Sequence, residues 1–387
     1  MSLGSFLGVR EENRSLLYRI YTIFFVSGAM TTVLGAVLPS LSSEYGLSYG
    51  VSGMLLSAHQ IGNLFAVFIA GILPYAIGRR LSTAILTSGI VLGLLLMTVT
   101  GNPFLLFIAF AFTGIGRGTL SNITNVVVGE SAEKKTAGLN FLHASFAVGA
   151  FLAPFIVIAS AGLSWRTAPI AIALSMLLAI IAVAMRLKGG KSVKVKGEGG
   201  IPRTVGFWLN TFIMFFYLCA EGSLTGWLVT YFQDEGIFPA AIATAMQSFL
   251  WIMILLGRLM CAIVSTKMNK SVLILILGLA MTAFFILMIT VSNPVVIFLA
   301  LLGVGFSMSG IYPTTLSSMD TRYNSSTIAT GTCIGTATIG AIAMPIIIGQ
   351  VAERAGLAGG IATISIALFV MVALMIFKLA RSRRGLI

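Results

Sequence analysis

The sequence predicts an all-α membrane protein with twelve transmembrane helices in two pseudo-symmetric six-helix bundles. Three observations support this: the composition, the spacing of the apolar runs and an internal repeat. Of the 387 residues, 58% are hydrophobic and only 9% are charged, and the mean hydropathy is +1.03. A soluble domain carries roughly 25% charged residues, and a water-soluble shape could not bury so much apolar side chain. The composition therefore excludes a soluble protein.

Twelve apolar runs are long enough to cross the hydrocarbon core, which requires about 20 helical residues. They lie near 17–40, 50–75, 81–100, 103–128, 138–161, 165–187, 205–232, 239–264, 271–292, 295–318, 327–351 and 358–380. Very short turns separate the third run from the fourth and the ninth from the tenth, and Pro103 and Pro294 open the helices that follow. These loops leave no room for a soluble catalytic domain.

The positive charges predict the orientation of the spans. Of the 24 Lys and Arg residues, 21 fall in segments on the side of the N-terminus, whereas Arg166 and Arg354 fall on the other side. Because positively charged loops stay in the cytoplasm, we expect both termini there, in a multi-pass protein of the inner (cytoplasmic) cell membrane. Residues 1–16 are expected to be a cytoplasmic tail, since they lack a signal-peptide cleavage site. The net charge of +13 then reflects topology and requires no nucleic-acid partner.

A polar segment and a repeat divide the chain. Residues 188–204 are rich in Gly and Lys and are typical of a flexible cytoplasmic linker between halves at 1–187 and 205–387. Phe24-Phe25 in the first run matches Phe215-Phe216 in the seventh at an offset of 191. The same offset relates two Gly/Pro pairs in the fifth and eleventh runs, Gly149 with Pro154 and Gly340 with Pro345. Ordered matches at one offset indicate two related halves, and the repeated pairs predict bends in gating helices.

Two parallel six-helix repeats are the architecture of major facilitator superfamily transporters, and local motifs resemble that superfamily. The segment from Gly71 through Gly78 to Arg79 and Arg80 is similar to the family's loop motif, although Tyr75 stands where the motif has Asp. The resemblance implies a gating role for Gly71, Gly78, Arg79 and Arg80. The segments 142–154 and 221–227 look like those of fucose/glucose–galactose-type sugar porters.

The resemblance implies a secondary active transporter that works by alternating access. Its most specific form is proton-coupled symport of a sugar or another small hydroxylated solute, with sodium as a possible coupling ion in place of the proton. The alternatives are proton-driven efflux of amphipathic compounds and a non-transporting receptor or assembly factor on the same fold. The chain carries no P-loop and no metal-ligand spacing, so we expect neither an enzyme nor a cofactor. The expected partners are the small-molecule solute, the coupling ion and the lipid bilayer; we expect no nucleic acid, and we expect a monomer.

Glu221 and Arg117 are the two charged side chains that the sequence places deep within predicted spans. Each costs about 2.5–3.5 kcal/mol at the bilayer centre on insertion scales, so each is expected to face a cavity or a partner. Asn210, Tyr217, Glu221 and Thr225 recur at helical spacing and share a face. A desolvated carboxylate suits a group that must load and release a proton, so Glu221 is the predicted proton-coupling residue. A static ion pair with Arg117 or a lysine is the alternative.

Other polar and aromatic side chains in the spans are candidates for solute binding. Amides can donate and accept hydrogen bonds at once, which suits hydroxylated ligands, and Trp227 and Tyr312 could stack on a sugar ring. Contact between helices is the alternative role for each of them. The predicted substrate-binding residues are Arg117, Asn125, His143, Gln60, His59, Asn63, Tyr217, Trp227, Gln247 and Tyr312.

Overall fold

The computed structural model describes residues 3–187, 204–319 and 327–384, and this part of the chain contains twelve long helices. In chain order they are α1 (Glu11–Tyr45), α2 (Tyr49–Ile77), α3 (Arg79–Val99), α4 (Pro103–Ser131), α5 (Lys135–Ser160), α6 (Thr167–Ala184), α7 (Val205–Asp234), α8 (Ala240–Val264), α9 (Lys270–Thr290), α10 (Pro294–Met308), α11 (Thr327–Ala362) and α12 (Ile364–Arg383). Two short helices, Leu3–Phe6 and Ile311–Ser317, precede α1 and follow α10.

The helices have the length and composition that a membrane requires. Within the described residues, eleven continuous segments are long and apolar enough to span a bilayer, and the last of them, Ala329–Arg383, contains both α11 and α12. A helix of 55 residues would extend about 80 Å, far more than one bilayer. The backbone is non-helical at Gly356 (φ 74°, ψ 167°), where the long segment is interrupted. The predicted all-α fold with membrane-length helices is confirmed; the orientation of the termini stays a prediction.

The N-terminal segment differs from the expected tail. The first helix begins at Glu11, six residues before the predicted span, and places Glu11 and Glu12 in its first turn, where the helix dipole favours acidic residues. Leu7 is fully buried, and its carbonyl accepts a hydrogen bond from the backbone N–H of Lys134 at 3.3 Å. This segment therefore contacts the α4–α5 loop, and the side chains of Leu7 and Val9 are buried.

The short turns form as the sequence predicts. The side chain of Asn102 caps α4 by accepting from the backbone N–H of Phe104 at 2.9 Å, and Asn293 caps α10 by accepting from Val295 at the same distance. A proline follows each cap at the first helical position, where no N–H is required. The predicted linker at 188–204 lies outside the described residues except for Thr204.

The chain divides into two compact units. The first unit comprises Met1–Leu47 and Ala58–Lys194, and the second comprises Ser48–Ser57 and Val195–Ile387. This division departs from the predicted halves at one place, because the first turns of α2 group with the second unit. The helix α2 continues from Ala58 as part of the first unit.

The repeated glycines lie at very close contacts between helix backbones. In the first unit α5 packs on α1, and a Cβ on Gly149 would overlap the carbonyl oxygen of Phe25. In the second unit α11 packs on α7, and a Cβ on Gly340 would overlap the carbonyl oxygen of Phe215. Small residues allow such approach between membrane helices. The repeated glycines therefore have a packing function, while their gating function stays a prediction.

A polar cluster joins three parts of the first unit beside the turn after α5. The guanidinium of Arg166 pairs with both carboxylate oxygens of Glu44, at 3.0 Å for Nη1, and its Nε donates to the carbonyl of Thr98 at 2.8 Å. The indole of Trp165 also donates to Glu44. The end of α1, the end of α3 and the start of α6 are thus connected through one arginine.

We predict that Gly149→Ala destabilises the protein, because the added methyl group must separate α1 from α5. The expected loss is about 1–3 kcal/mol, as for other overpacked sites, and it should appear as a lower thermal unfolding temperature in detergent. The matched control is Gly129→Ala in α4, where an added Cβ has no neighbour within 4 Å. The control should be neutral or slightly stabilising, since Ala favours helix over Gly. Equal unfolding temperatures for the two variants would contradict the proposed contact.

Candidate functional site

Glu221 lies near the middle of α7, partly buried, and its carboxylate acts electrostatically on the hydroxyl of Tyr217 one turn earlier. Tyr217 is only 1% exposed. The hydroxyl of Thr225 donates to the backbone carbonyl of Glu221 at 2.8 Å. The predicted polar face of α7 therefore exists, and its acid and phenol act as a pair.

Two side chains from other elements of the second unit lie around this pair. Arg258 of α8 and Tyr312 of the short helix after α10 both act electrostatically on the Tyr217 hydroxyl. The rings of Tyr217 and Tyr312 are 6.3 Å apart between centroids. Tyr312 in turn packs on an apolar cluster that includes Met214 and Cys333. Glu221, Arg258 and Tyr312 thus all act on one buried phenol.

A buried lysine joins the same polar face of α7 at Asn210. The ammonium of Lys378 in α12, only 6% exposed, donates to Asn210 Oδ1 at 2.7 Å and to Ser318 Oγ at 2.8 Å. From the sequence, Lys378 and Arg258 count only among the 21 charges on the side of the N-terminus. Both lie inside helices, in α12 and α8. Their positions within the apolar runs 358–380 and 239–264 were the signal that could have identified them as buried charges.

Gln247 and Trp227 are deeply buried in the second unit. Gln247 is 1% exposed, and its Nε2 donates to the backbone carbonyl of Thr225 at 2.7 Å, which ties α8 to α7. Trp227 is fully buried, and its ring centroid lies 6.4 Å from that of Tyr49. In this structure Trp227 is therefore covered by protein and does not present its face to a solute.

Arg117 forms the corresponding charged centre of the first unit. Its Nε donates to Thr31 Oγ1 of α1 at 3.0 Å, and its guanidinium carbon lies 5.5 Å from the ring centroid of Phe146 in α5. The Thr31 hydroxyl donates in turn to the carbonyl of Ser27 at 2.9 Å. Arg117 therefore links α1, α4 and α5, which agrees with the alternative role of contact between helices. A guanidinium over an aromatic ring can also receive an anionic group.

His59 is a buried contact between α2 and α4. Its Nδ1 lies 2.8 Å from Thr113 Oγ1, and that hydroxyl donates to the carbonyl of Phe110 at 2.6 Å. Because the hydroxyl proton is committed, Nδ1 must carry the proton and donate to Thr113. The two helix backbones approach closely here, since a Cβ on Gly114 would overlap the carbonyl oxygen of His59. This geometry favours a packing role over solute binding.

The remaining candidates of the first unit differ in exposure. His143 is exposed on α5, and its ring meets that of Phe24 edge-on at 5.7 Å. Gln60 and Asn63 are partly buried on α2. Asn125 Oδ1 on α4 is buried and has no hydrogen-bond partner within the described residues. Of these side chains, His143 is the most accessible and Asn125 has an acceptor left to satisfy.

The loop motif after α2 holds an ion pair that the sequence did not reveal. Arg79 Nη1 lies 2.9 Å from Glu130 Oε2 at the end of α4. Gly78 between α2 and α3 has φ 84°, a conformation that favours glycine, and Arg80 is exposed. Glu130 thus supplies a carboxylate for Arg79 although Tyr75 replaces the acid of the motif.

Three other predicted gating residues lie within helices. Gly71 lies in α2, Pro154 in α5 and Pro345 in α11.

Comparisons of sequence with known proteins point to one family. The model of the Major Facilitator Superfamily matches residues 20–337. A gallate transporter of Pseudomonas putida is 28% identical over 145 residues, which are 36% of this chain and 32% of that protein. The glucose/mannose transporter GlcP of Bacillus subtilis (strain 168) is 21% identical over 318 residues, 77% of this chain and 78% of that protein. The chain thus matches about a third of the first relative's length and most of the second's.

Comparisons of structure show the same fold. A bacterial homologue of the human lysosomal transporter Spinster, in an inward-facing and occupied conformation, matches with a TM-score of 0.78 at 12% identity, over 95% of this chain and 97% of that one. A D-xylose–proton symporter matches with a TM-score of 0.76 at 14% identity, over 94% and 96%. These matches confirm the predicted architecture of two six-helix bundles.

We predict that Asn210→Leu destabilises the protein, because it removes a principal acceptor of the buried Lys378 ammonium. Hydrogen bonds to charged groups contribute about 1.5–3 kcal/mol, and a loss of that size should lower the thermal unfolding temperature. The control is Asn210→Leu combined with Lys378→Met, which removes both partners and should recover much of the loss. If the double variant is as unstable as the sum of its single changes, the pair is not coupled.

Proposed function

Since the chain belongs to the major facilitator superfamily, we propose that it is a secondary active transporter that couples uptake of a small hydroxylated solute to proton movement through Glu221. The observation that carries this proposal is the Glu221–Tyr217 pair in the middle of α7. The solute is a sugar or a compound with similar hydroxyl groups.

The pair suits proton exchange because a phenol can donate to a carboxylate and accept from a carboxylic acid. A hydrogen bond between the two side chains can therefore form in either protonation state of Glu221. The positive charge of Arg258 acts on the Tyr217 hydroxyl, and a nearby positive charge favours the charged form of an acid. The phenol and the cation favour proton release, whereas the partial burial of Glu221 favours proton uptake. Such a balance is what a reversible proton carrier requires.

The solute class rests on the relatives and on the polar groups of the first unit. The names of the relatives include glucose, mannose, D-xylose and gallate, all of which carry several hydroxyl groups. Gallate also carries a carboxylate on an aromatic ring. The guanidinium of Arg117, which lies over the ring of Phe146, is a cation that can bind the carboxylate of such an anion. A hydroxylated aromatic acid is therefore the second candidate solute beside a neutral sugar.

We predict that Glu221→Gln uncouples transport from the proton gradient. In proteoliposomes the variant should keep counterflow of labelled solute but lose accumulation driven by an inward proton gradient, by tenfold or more. D-glucose, D-xylose and gallate are the solutes to screen. The control is Glu12→Gln, an exposed position at the start of α1, which should leave both activities unchanged. Normal gradient-driven accumulation by Glu221→Gln would refute the role of Glu221, and accumulation driven by the opposite gradient would indicate efflux.

We predict that Arg117→Gln distinguishes the two solute candidates. A charge-assisted hydrogen bond contributes about 1.5–3 kcal/mol, which corresponds to roughly 10–100-fold in affinity. If the solute is an aromatic acid, KM for gallate should rise by that factor. Thr31→Val removes only the Nε acceptor and serves as the control, with a much smaller change. A KM for gallate that is equal in the wild type and Arg117→Gln would exclude Arg117 as the anion site.

A further inference from the structure

A narrow cleft lies among α1, α3 and α6 of the first unit. It is lined by one residue of α1, by the first two turns of α3 and by the end of α6. Apart from Arg80 and two threonines, the lining side chains are apolar: Ile23, Ala84, Ile180, Val183, Ala184 and Leu187. Because Arg80 is the second residue of α3, the cleft is an apolar slot with a cation at one end.

The two threonines add little polarity to the cleft, because both hydroxyl protons are used within α3. Thr83 Oγ1 donates to the carbonyl of Arg79 at 2.7 Å, and Thr87 Oγ1 donates to the carbonyl of Thr83 at the same distance. A ligand in the cleft therefore meets one charged group and mostly apolar atoms. That combination suits an amphiphile better than a polar solute.

Large apolar side chains on both sides of the cleft face outward. Leu81 and Ile85 of α3 and Ile181 and Met185 at the end of α6 are between 48% and 59% exposed. Each of them is the sequence neighbour of a residue that lines the cleft. In a multi-pass membrane protein, apolar side chains with this exposure contact lipid. A lipid molecule of the bilayer can therefore reach the cleft from the side.

Two further arginines lie at the same end of the cleft as Arg80. Arg19 is one turn before the lining residue of α1, and its Nη1 donates to the carbonyl of Ala182 in the last turn of α6 at 2.5 Å. Arg186 is exposed and directly precedes the lining residue Leu187. The three elements around the cleft thus each bring one arginine to this end.

The charge at this end of the cleft is not balanced by acids of the described chain. Within residues 3–187, 204–319 and 327–384, none of Arg19, Arg80 and Arg186 forms a salt bridge. Arg79, the neighbour of Arg80, is the residue that pairs with Glu130. Neither α3 nor α6 contains an acidic residue. An anionic group at this position would therefore meet a complementary positive charge.

We propose that this cleft binds an anionic phospholipid, with an acyl chain against the apolar lining and the phosphate at Arg80 and Arg186. Guanidinium groups bind phosphate through paired, charge-assisted hydrogen bonds, and basic pockets between membrane helices bind charged lipid headgroups. A free phosphate would leave the apolar slot unused, and a neutral lipid would leave the arginines without a counter-charge. This site is separate from the proposed proton and solute groups.

Native mass spectrometry of the full chain in detergent tests the charged end of the cleft. The chain is titrated with phosphatidylglycerol and with phosphatidylcholine of the same acyl chains, and we expect phosphatidylglycerol to bind several-fold more tightly. Arg80→Gln should weaken phosphatidylglycerol binding about fivefold, as expected for one basic residue near a membrane surface. Arg383→Gln in α12, also exposed, removes the same charge elsewhere and should have little effect. Equal affinity for both lipids, or equal losses in the two variants, would overturn the proposal.

A second pair of variants tests the apolar part of the cleft without changing any charge. Ala84→Phe fills the cleft and should weaken phosphatidylglycerol binding several-fold. Ile85→Phe, one residue further along α3, adds its ring to the outward face and should leave the affinity unchanged. Thermal unfolding of the lipid-free proteins shows whether each variant folds, and if Ala84→Phe does not, the comparison at the exposed Arg80 decides. Equal affinity in folded Ala84→Phe and the wild type would overturn the proposal.

Soluble anions distinguish a lipid site from a site for free phosphate. Inorganic phosphate and glycerol phosphate in excess should displace little phosphatidylglycerol, because neither carries an acyl chain that fills the apolar slot. Complete displacement by inorganic phosphate would show that the arginines bind a free anion, and the proposal would fail. These affinities are measured without solute or a proton gradient. A failure of Glu221→Gln to uncouple transport would therefore refute the proton-coupling proposal alone.

Discussion

The constraint on which the structure depends is that polar groups inside a bilayer must find partners within the protein. Backbone N–H and C=O groups meet it by forming helices, and the described chain contains little else. The few polar side chains inside the helices meet this constraint by pairing with one another. Tyr217 interacts electrostatically with Glu221, Lys378 donates to Asn210, and Arg117 donates to Thr31. A charged group inside the membrane is costly to bury. We therefore expect these pairs to serve a function other than spanning the membrane.

The close contacts between helices also follow from the apolar surroundings. Lipid tails are as apolar as the side chains, so helices associate by packing rather than by the hydrophobic effect. Glycines at the α1–α5 and α7–α11 contacts bring backbones together in both units. Gly53 and Gly349 let the first turns of α2 lie directly against α11 in the same way, and hydrogen bonds to exposed carboxylates add to this contact.

Hydropathy and charge placement predict most of the fold, because spans have a fixed length and turns carry Asn and Pro. The same patterns predict Glu221 and Arg117, since a charge within an apolar run is conspicuous. They fail for Lys378, whose place near a helix end resembles a solvated tail. They fail also for the Gly50–Glu353 and Arg79–Glu130 pairs, because pairing across helices leaves no periodic signal in the sequence. Trp227 and His59 show the converse, since residue type suggests binding whereas their burial in the structure favours packing.

The proton flux that accompanies solute entry tests proton coupling through Glu221 most directly. Proteoliposomes with the wild-type chain in a weakly buffered medium receive a pulse of a solute that counterflow has identified. We expect a rise in external pH with the wild type, because protons enter with the solute, and no rise with Glu221→Gln at equal counterflow. A rise of the same size in both proteins, or no rise in the wild type, would contradict proton coupling through Glu221.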